Sequence, residues 1–352
     1  MGCTRRLPRR CRRGGGRPCR RRWGSGPVSP VRVLYLAGSG RSGSTLVTTV
    51  LGQVPGFFAA GELRYLWRRG ILENRPCGCG SPVTDCPLWA RVRADLTDAD
   101  PAGIAARLAQ RLRLRGLPAL LRRERRGQPP VAGHPDDTHL ARLYASIAEH
   151  ALAGRSDGVI VDSSKLPPYG ALLGSLPGID LYVLHVVRDP RATAYSWRRR
   201  RPLDGPADDQ LMSRPQVGKA ALLWLVWNTA TVRLWGGRRR APGRYLRVRY
   251  EDFVADPAGV TARIAGFVGA NPAELPFPTP ATVRLTPTHS VAGNPSRHRT
   301  GLVDVVADTE WVGRLPTRAY AVVTGLTAVA LTRFGYPLRR PTAISPATRQ
   351  EG

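Results

Sequence analysis

Gly38-Ser39-Gly40-Arg41-Ser42-Gly43-Ser44-Thr45 follows the apolar, β-rich run Val31–Ala37 and opens the helix-like stretch Ser44–Leu51. A glycine-rich turn between strand and helix suits an anion, because its backbone N–H groups and those of the helix start converge. The spacing nearly fits a nucleoside-triphosphate loop, with Gly38, Gly43 and Thr45 in place. Ser44 stands where that loop carries its lysine. The lysine reaches the β- and γ-phosphates, so its absence argues against an ordinary ATPase or kinase.

Beyond the loop, Gly158–Val161, Leu181–Val187 and Tyr245–Tyr250 are continuous apolar or β-rich runs bounded by turn or charged residues. Strands buried on both faces of a parallel sheet read this way. Helical patterns separate them at Ala192–Arg199, Lys219–Trp235, Pro257–Val268 and Thr317–Phe334. Strand–helix alternation predicts an α/β protein with a central parallel sheet flanked by helices in three layers. Residues 101–155 carry helix formers, many arginines and no strand signal, and predict a helical insertion over the sheet, about 95–155. Their arginines read first as a solvated helix face.

The 352 residues carry a net charge of +29, and 52 of the 54 basic residues are arginines, with only Lys165 and Lys219 as lysines. That ratio reflects codon bias as much as selection for charge. Residues 1–30 hold ten arginines and no acid, and residues 339–352 three arginines against one glutamate, which leaves +17 for residues 31–338. This balance suits an anionic ligand, a phosphorylated cofactor or nucleic acid. Residues 1–30 and 339–352 lack apolar periodicity and are expected to be disordered. For the first tail a nucleic-acid arm, a membrane-surface tether and a start codon set too early compete; the abrupt onset of ordered-looking sequence at Val31 favours the last. No apolar run approaches the roughly 20 residues of a bilayer span, and a cytoplasmic location is expected.

Four segments in order carry a resemblance to a known family. Arg41-Ser42-Gly43-Ser44-Thr45-Leu46 resembles the 5′-phosphosulfate loop of sulfotransferases that use 3′-phosphoadenosine 5′-phosphosulfate (PAPS). Val161-Asp162-Ser163-Ser164-Lys165 resembles the strand-end segment that supplies a lysine near the transferring group. Val187-Arg188-Asp189-Pro190-Arg191-Ala192, with Ser196, resembles the 3′-phosphate motif. His289 to Arg297, followed by Asp308 and Trp311, resembles the cofactor-closing segment of bacterial members. The resemblance spans about residues 31–337 and implies the P-loop-like sulfotransferase fold. It implies transfer of a sulfuryl group to a hydroxyl or amine of a small-molecule, glycan or peptide acceptor.

The donor so implied has two separated anionic ends, and two cradles match them. Gly40, Arg41, Ser42, Gly43, Ser44 and Thr45 would hold the 5′ end. Arg188, as a planar fork at the carboxyl end of a strand, and Ser196 would hold the 3′-phosphate. Tyr250 matches an adenine-side tyrosine, and Arg297 belongs to the closing segment. Lys165, a compact charge in an arginine-rich chain, is implied to stabilise the leaving oxygen beside Arg41. Glu62, the first acidic residue of the chain, follows the strand-like Phe57–Gly61. The resemblance makes it the general base, against the bland reading of an ion-pair partner for Arg41 or Arg64.

Cys77, Cys79 and Cys86 form C-x-C-x6-C with no fourth zinc ligand nearby in sequence. A Cys pair or free thiols ordering the loop is the expectation, with His134 the weak candidate for a fourth ligand and no metal expected in the chemistry. His185 reads as packed, and His289 as able to touch cofactor or substrate. Two alternatives remain: a nucleotide kinase or NTPase with Asp162 as its metal-binding aspartate, and a non-enzymatic nucleic-acid binder, the less expected.

Overall fold

Every residue from Val33 to Ala37 is buried, yet their side chains alternate between two separate cores. Val33, Tyr35 and Ala37 enter one, and Leu34 and Leu36 the other, as the period-two geometry of a strand covered on both faces requires. The computed structural model describes residues 30–128, 133–199, 215–237, 243–271 and 274–341. The anticipated tails therefore lie largely outside the described residues.

The run becomes β1 (Val31–Ala37), followed by α1 (Ser44–Leu51) and β2 (Phe57–Gly61). Four helices come next, α2 (Pro87–Ala94), α3 (Pro101–Arg111), α4 (Leu117–Arg125) and α5 (Asp136–Ala151). Then follow β3 (Val159–Lys165), α6 (Pro167–Leu173), β4 (Ile179–Val187), α7 (Pro190–Arg198), α8 (Val217–Trp235) and β5 (Tyr245–Arg249). After α9 (Tyr250–Ala255) and α10 (Pro257–Phe267), β6 (Thr282–Leu285) pairs antiparallel with β7 (Gly301–Asp304), ahead of α11 (Glu310–Arg314) and α12 (Thr317–Arg333).

β1 to β5 form one parallel sheet in the order β2-β3-β1-β4-β5. α1 and α10 cover one face through Val47, Val50, Val260 and Ile264; α5 and α6 cover the other through Tyr144, Ile147, Tyr169 and Leu172. The three-layer α/β architecture is as anticipated. Because β1 is central, its glycine loop leaves the sheet at the carboxyl edge between β3 and β4, where open α/β sheets bind ligands.

Several boundaries differ from the sequence reading. β3 runs on to Lys165, because Asp162 satisfies the backbone N–H and hydroxyl of Ser164 and keeps this polar end buried in the ladder. Tyr250 opens α9 rather than ending β5. The helical region begins at Pro87, and α5 is a core layer rather than an insertion lying over the sheet. Its arginines follow the solvated reading only in part: Arg113, Arg115 and Arg122 are exposed, whereas Arg107 pairs bidentately with Asp136 at 2.9 Å and the largely buried Arg111 with Asp137 at 2.8 Å. Arg340, anticipated in a disordered tail, donates to the carbonyl of Leu315 at 2.6 Å and stacks on Tyr320, so ordered chain extends past residue 338. The β6–β7 pair escaped the sequence reading because four-residue strands carry too little periodicity.

Candidate active site

Two backbone turns shape the carboxyl edge. In the glycine loop Gly43 has φ +83° and Arg41 φ +66°. A Cβ on Gly43 would collide with the ring of Tyr250, and one on Gly40 would come within 2.7 Å of Trp197, so both positions need glycine. The Arg41 guanidinium lies over the Trp197 ring, 4.9 Å from its centroid. At the neighbouring strand end, Lys165 has φ +69° at a register shift against β1. A left-handed non-glycine residue is strained, and a bulge of this kind re-aims its side chain.

The re-aimed ammonium meets Glu62. Lys165 Nζ donates to Glu62 Oε1 at 2.6 Å and to the Ser163 carbonyl at 2.9 Å, and the Arg64 guanidinium lies 3.6 Å from the other carboxylate oxygen. Glu62 leaves β2 where its N–H donates to the carbonyl of Val291, so a segment far along the chain fixes its backbone. Burial pushes the Glu62 carboxyl upward, but Lys165 and Arg64 outweigh it and hold it below the usual glutamate range. Burial pulls the Lys165 ammonium down more than Glu62 restores it. The carboxylate is therefore ionised near neutrality, with Lys165 and Arg64, not Arg41, as its partners.

A second basic cluster lies on the β4 side. Arg188 is buried at the end of β4, its guanidinium 4.5 Å from the Tyr250 ring centroid and 3.1 Å from the Asp308 carboxylate. Arg199 approaches the other Asp308 oxygen at 2.8 Å, so one carboxylate sits between two guanidinium groups. Ser196 is buried nearly two turns into α7 and lines the same space.

Both clusters and the glycine loop border one cavity of about 750 Å³. Of the anticipated residues, Gly40, Arg41, Gly43, Ser44, Thr45, Glu62, Lys165, Arg188, Ser196 and Tyr250 all line it, whereas Ser42 and Arg297 do not. Ser42 is buried beneath the loop. Arg297 is a buried clamp instead of a cavity residue: it donates to the carbonyls of Ser290 at 2.5 Å and Pro76 at 2.6 Å. Ser296 and Arg299 present the cavity face of that segment.

Other residues correct or extend the reading. His289 does not line the cavity; its Nδ1 lies 3.2 Å from Cys86 Sγ and 3.9 Å from Cys77 Sγ. The fourth potential ligand beside the three cysteines is thus His289, not His134, which accepts from the backbone of Asp136. Asp162 also misses the cavity: its carboxylate accepts from Ser164 and from the Tyr144 hydroxyl in the core, and burial pushes it up to about 6. An NTPase needs that carboxylate facing its metal, so the geometry opposes this alternative. His185 is packed as anticipated, between the Tyr245 hydroxyl at 2.7 Å and Asn228 Oδ1 at 2.8 Å. Sequence reasoning missed Tyr65, whose ring is flanked by Arg64 and Arg69 at 3.7 and 3.9 Å, and Arg199. Tyr65 and Arg69 bracket the start of a π-helical stretch, Leu66–Leu72, which has no signature in periodicity.

Residues 100–274 match the model of the sulfotransferase family. Over that segment, just under half of the chain, the sequence is that of a sulfotransferase. The matched segment contains Lys165, Arg188, Ser196 and Tyr250, while the glycine loop and Glu62 precede it. Among solved structures, the sulfotransferase domain from the curacin biosynthetic pathway aligns with 16 % identity over 88 % of this chain and 99 % of its own, with a TM-score of 0.48. The sulfotransferase domain of the Synechococcus PCC 7002 olefin synthase aligns at 22 % identity over 88 % and 98 %, with a TM-score of 0.43. Sulfotransferase STF9 from Mycobacterium avium aligns at 16 % over 90 % and 79 %, also at 0.43. No curated protein matches the sequence. Among the described residues, no helix is long and apolar enough to cross a membrane.

Proposed function

We propose that the chain binds PAPS across the two basic clusters and transfers its sulfuryl group to a hydroxyl or amine of an acceptor, with Glu62 as general base. The observation that carries this reading is the Glu62–Lys165 pair, 2.6 Å apart, facing the same cavity as the glycine loop and the Arg188 cluster. A base and a compact cation beside an anion cradle are what in-line transfer from a phosphate needs.

The residues fit such a donor. Arg188 Nε is buried without a hydrogen-bond partner, a cost that a phosphate oxygen would remove. Arg188 and Arg199 direct their guanidinium groups at the one Asp308 carboxylate, an arrangement that supports a phosphate at this end if it displaces that carboxylate. When bound, the donor supplies an activated sulfuryl group on a phosphate leaving group. Arg41 and the loop N–H groups would hold the 5′ end, and Arg188, Arg199 and Ser196 the 3′ end. Glu62, ionised at neutral pH, takes the acceptor proton. Lys165 has three N–H donors, two directed to Glu62 and Ser163; the third can serve the leaving oxygen.

Calorimetry with adenosine 3′,5′-bisphosphate and with ATP tests the reading. Tight bisphosphate binding without magnesium is the expected result. Magnesium-dependent ATP binding with no bisphosphate binding overturns it.

A further inference from the structure

Cys77, Cys79, Cys86 and His289 come from three separate pieces of chain, and their sulfur and nitrogen atoms all lie within 4.8 Å of one another. We propose that these four side chains form a structural zinc site that staples the segment around His289 to the loop before α2.

The distances fit a tetrahedron. With Zn–S of about 2.3 Å and Zn–N of about 2.0–2.1 Å, the edges of a tetrahedral site are roughly 3.5–3.8 Å. Cys79 and Cys86 are 3.9 Å apart, Cys86 Sγ is 3.2 Å from His289 Nδ1, and Cys77 Sγ is 3.9 Å from it. Three thiolates with one imidazole favour zinc over harder cations.

Hydrogen bonds away from the ligand atoms hold the three pieces in place. Cys77 and Cys79 flank the apex of a tight turn, in which Cys77 N–H donates to the Ser81 carbonyl at 2.7 Å and Gly80 N–H to the Cys77 carbonyl at 2.9 Å. Cys86 caps α2. The His289 carbonyl accepts from Trp89 Nε1 at 2.9 Å. The turn also docks on the far segment: Gly78 N–H donates to the Ser290 carbonyl at 2.9 Å, and a Cβ on Gly78 would come within 2.6 Å of Ser290 and Thr288. A site preorganised to this degree loses little entropy on metal binding.

None of the four residues lines the cavity, and Cys77 and Cys86 are buried. Four protein ligands closed to substrate indicate a structural rather than a catalytic ion. Its leverage on the cavity is mechanical. Two residues past His289, Val291 bonds to Ala60 and to the N–H of Glu62 on either side of Gly61, and Gly293, Asn294 and Ser296 follow on the cavity wall.

The test uses the full chain purified under reducing conditions without chelator. Elemental analysis should find close to one zinc per chain, and cobalt in its place should give the thiolate charge-transfer and ligand-field bands of a tetrahedral site. Removing the metal should lower the melting temperature. His289→Ala should weaken metal affinity at least on the order of tenfold. His289→Cys should retain the metal and strengthen the charge-transfer band. Failure to bind zinc or cobalt, or recovery of Cys79 and Cys86 as a disulfide, overturns the proposal. So does a metal affinity, measured by chelator competition, that His289→Ala leaves unchanged, which would place the ion elsewhere. None of these readouts depends on sulfuryl transfer.

Discussion

Glu62 and Lys165 hold one another in a site where either charge alone would be costly, since a buried ion left without its partner loses more than the pair gains. A neutral isostere of the carboxylate keeps a hydrogen-bond acceptor for Lys165 while abolishing the base. Glu62→Gln is therefore expected to lower turnover on the order of 10²–10⁴-fold with bisphosphate affinity nearly unchanged. Turnover within a few-fold of wild type would remove Glu62 from the role. Arg188 makes a different kind of contribution, as a buried fork with an unmet donor. Arg188→Ala should weaken adenosine 3′,5′-bisphosphate binding by roughly 2–4 kcal/mol in calorimetry. An analogue lacking the 3′-phosphate should lose little affinity. Equal losses for the two ligands would place the 3′-phosphate elsewhere.

At the scale of elements, the loop between β1 and α1 is held open by what glycine lacks. Gly43, with φ +83° and the Tyr250 ring against its α-carbon, leaves no room for a methyl group. Gly43→Ala combines backbone strain of about 1–3 kcal/mol with displacement of Tyr250, which lies under the Arg188 guanidinium. The variant should melt at lower temperature and bind the bisphosphate more weakly; wild-type values for both would show that the loop tolerates another conformation. This element was legible in the sequence because strand, glycines and helix are contiguous and each obeys a local rule. Arg188, Ser196 and Lys165 were legible for the same reason, as residues at strand ends or on the helix that follows one. What was not legible arises from contacts between distant segments. His289 lies about 200 residues from the cysteines it meets, and Arg297 turns to the Pro76 carbonyl 221 residues away. No local spacing reports such a meeting. Sequence position likewise gave the arginines near residues 107–126 no sign of which would be paired, since pairing depends on how α3 and α5 pack.

Across the whole molecule, the sheet buries two titratable groups that answer to pH with opposite sign. Asp162, pushed up to about 6 by burial, keeps its proton in the folded chain above the pH at which the unfolded chain releases it. Its contribution to stability therefore improves as pH falls from 7 to 5. His185 is enclosed by Tyr245, Asn228 and the edge of Phe334, and burial lowers its pKa to about 4. Between about pH 6.5 and pH 4 the unfolded chain binds a proton on this histidine that the folded chain refuses, so stability falls as pH falls through that window. From pH 7 to 5 the loss approaches about 2 kcal/mol. The two contributions largely offset each other in the wild-type protein, so its own pH profile reports neither. A comparison of variants separates them. His185→Gln removes the titration while leaving Asp162 in place, whatever it costs at neutral pH. Chemical denaturation at pH 7 and pH 5 should show the wild type losing about 2 kcal/mol more on acidification than His185→Gln. Parallel losses in the two proteins would mean that the folded chain accepts the proton, and that the pocket formed by β4, β5 and α8 opens enough to hydrate the imidazolium.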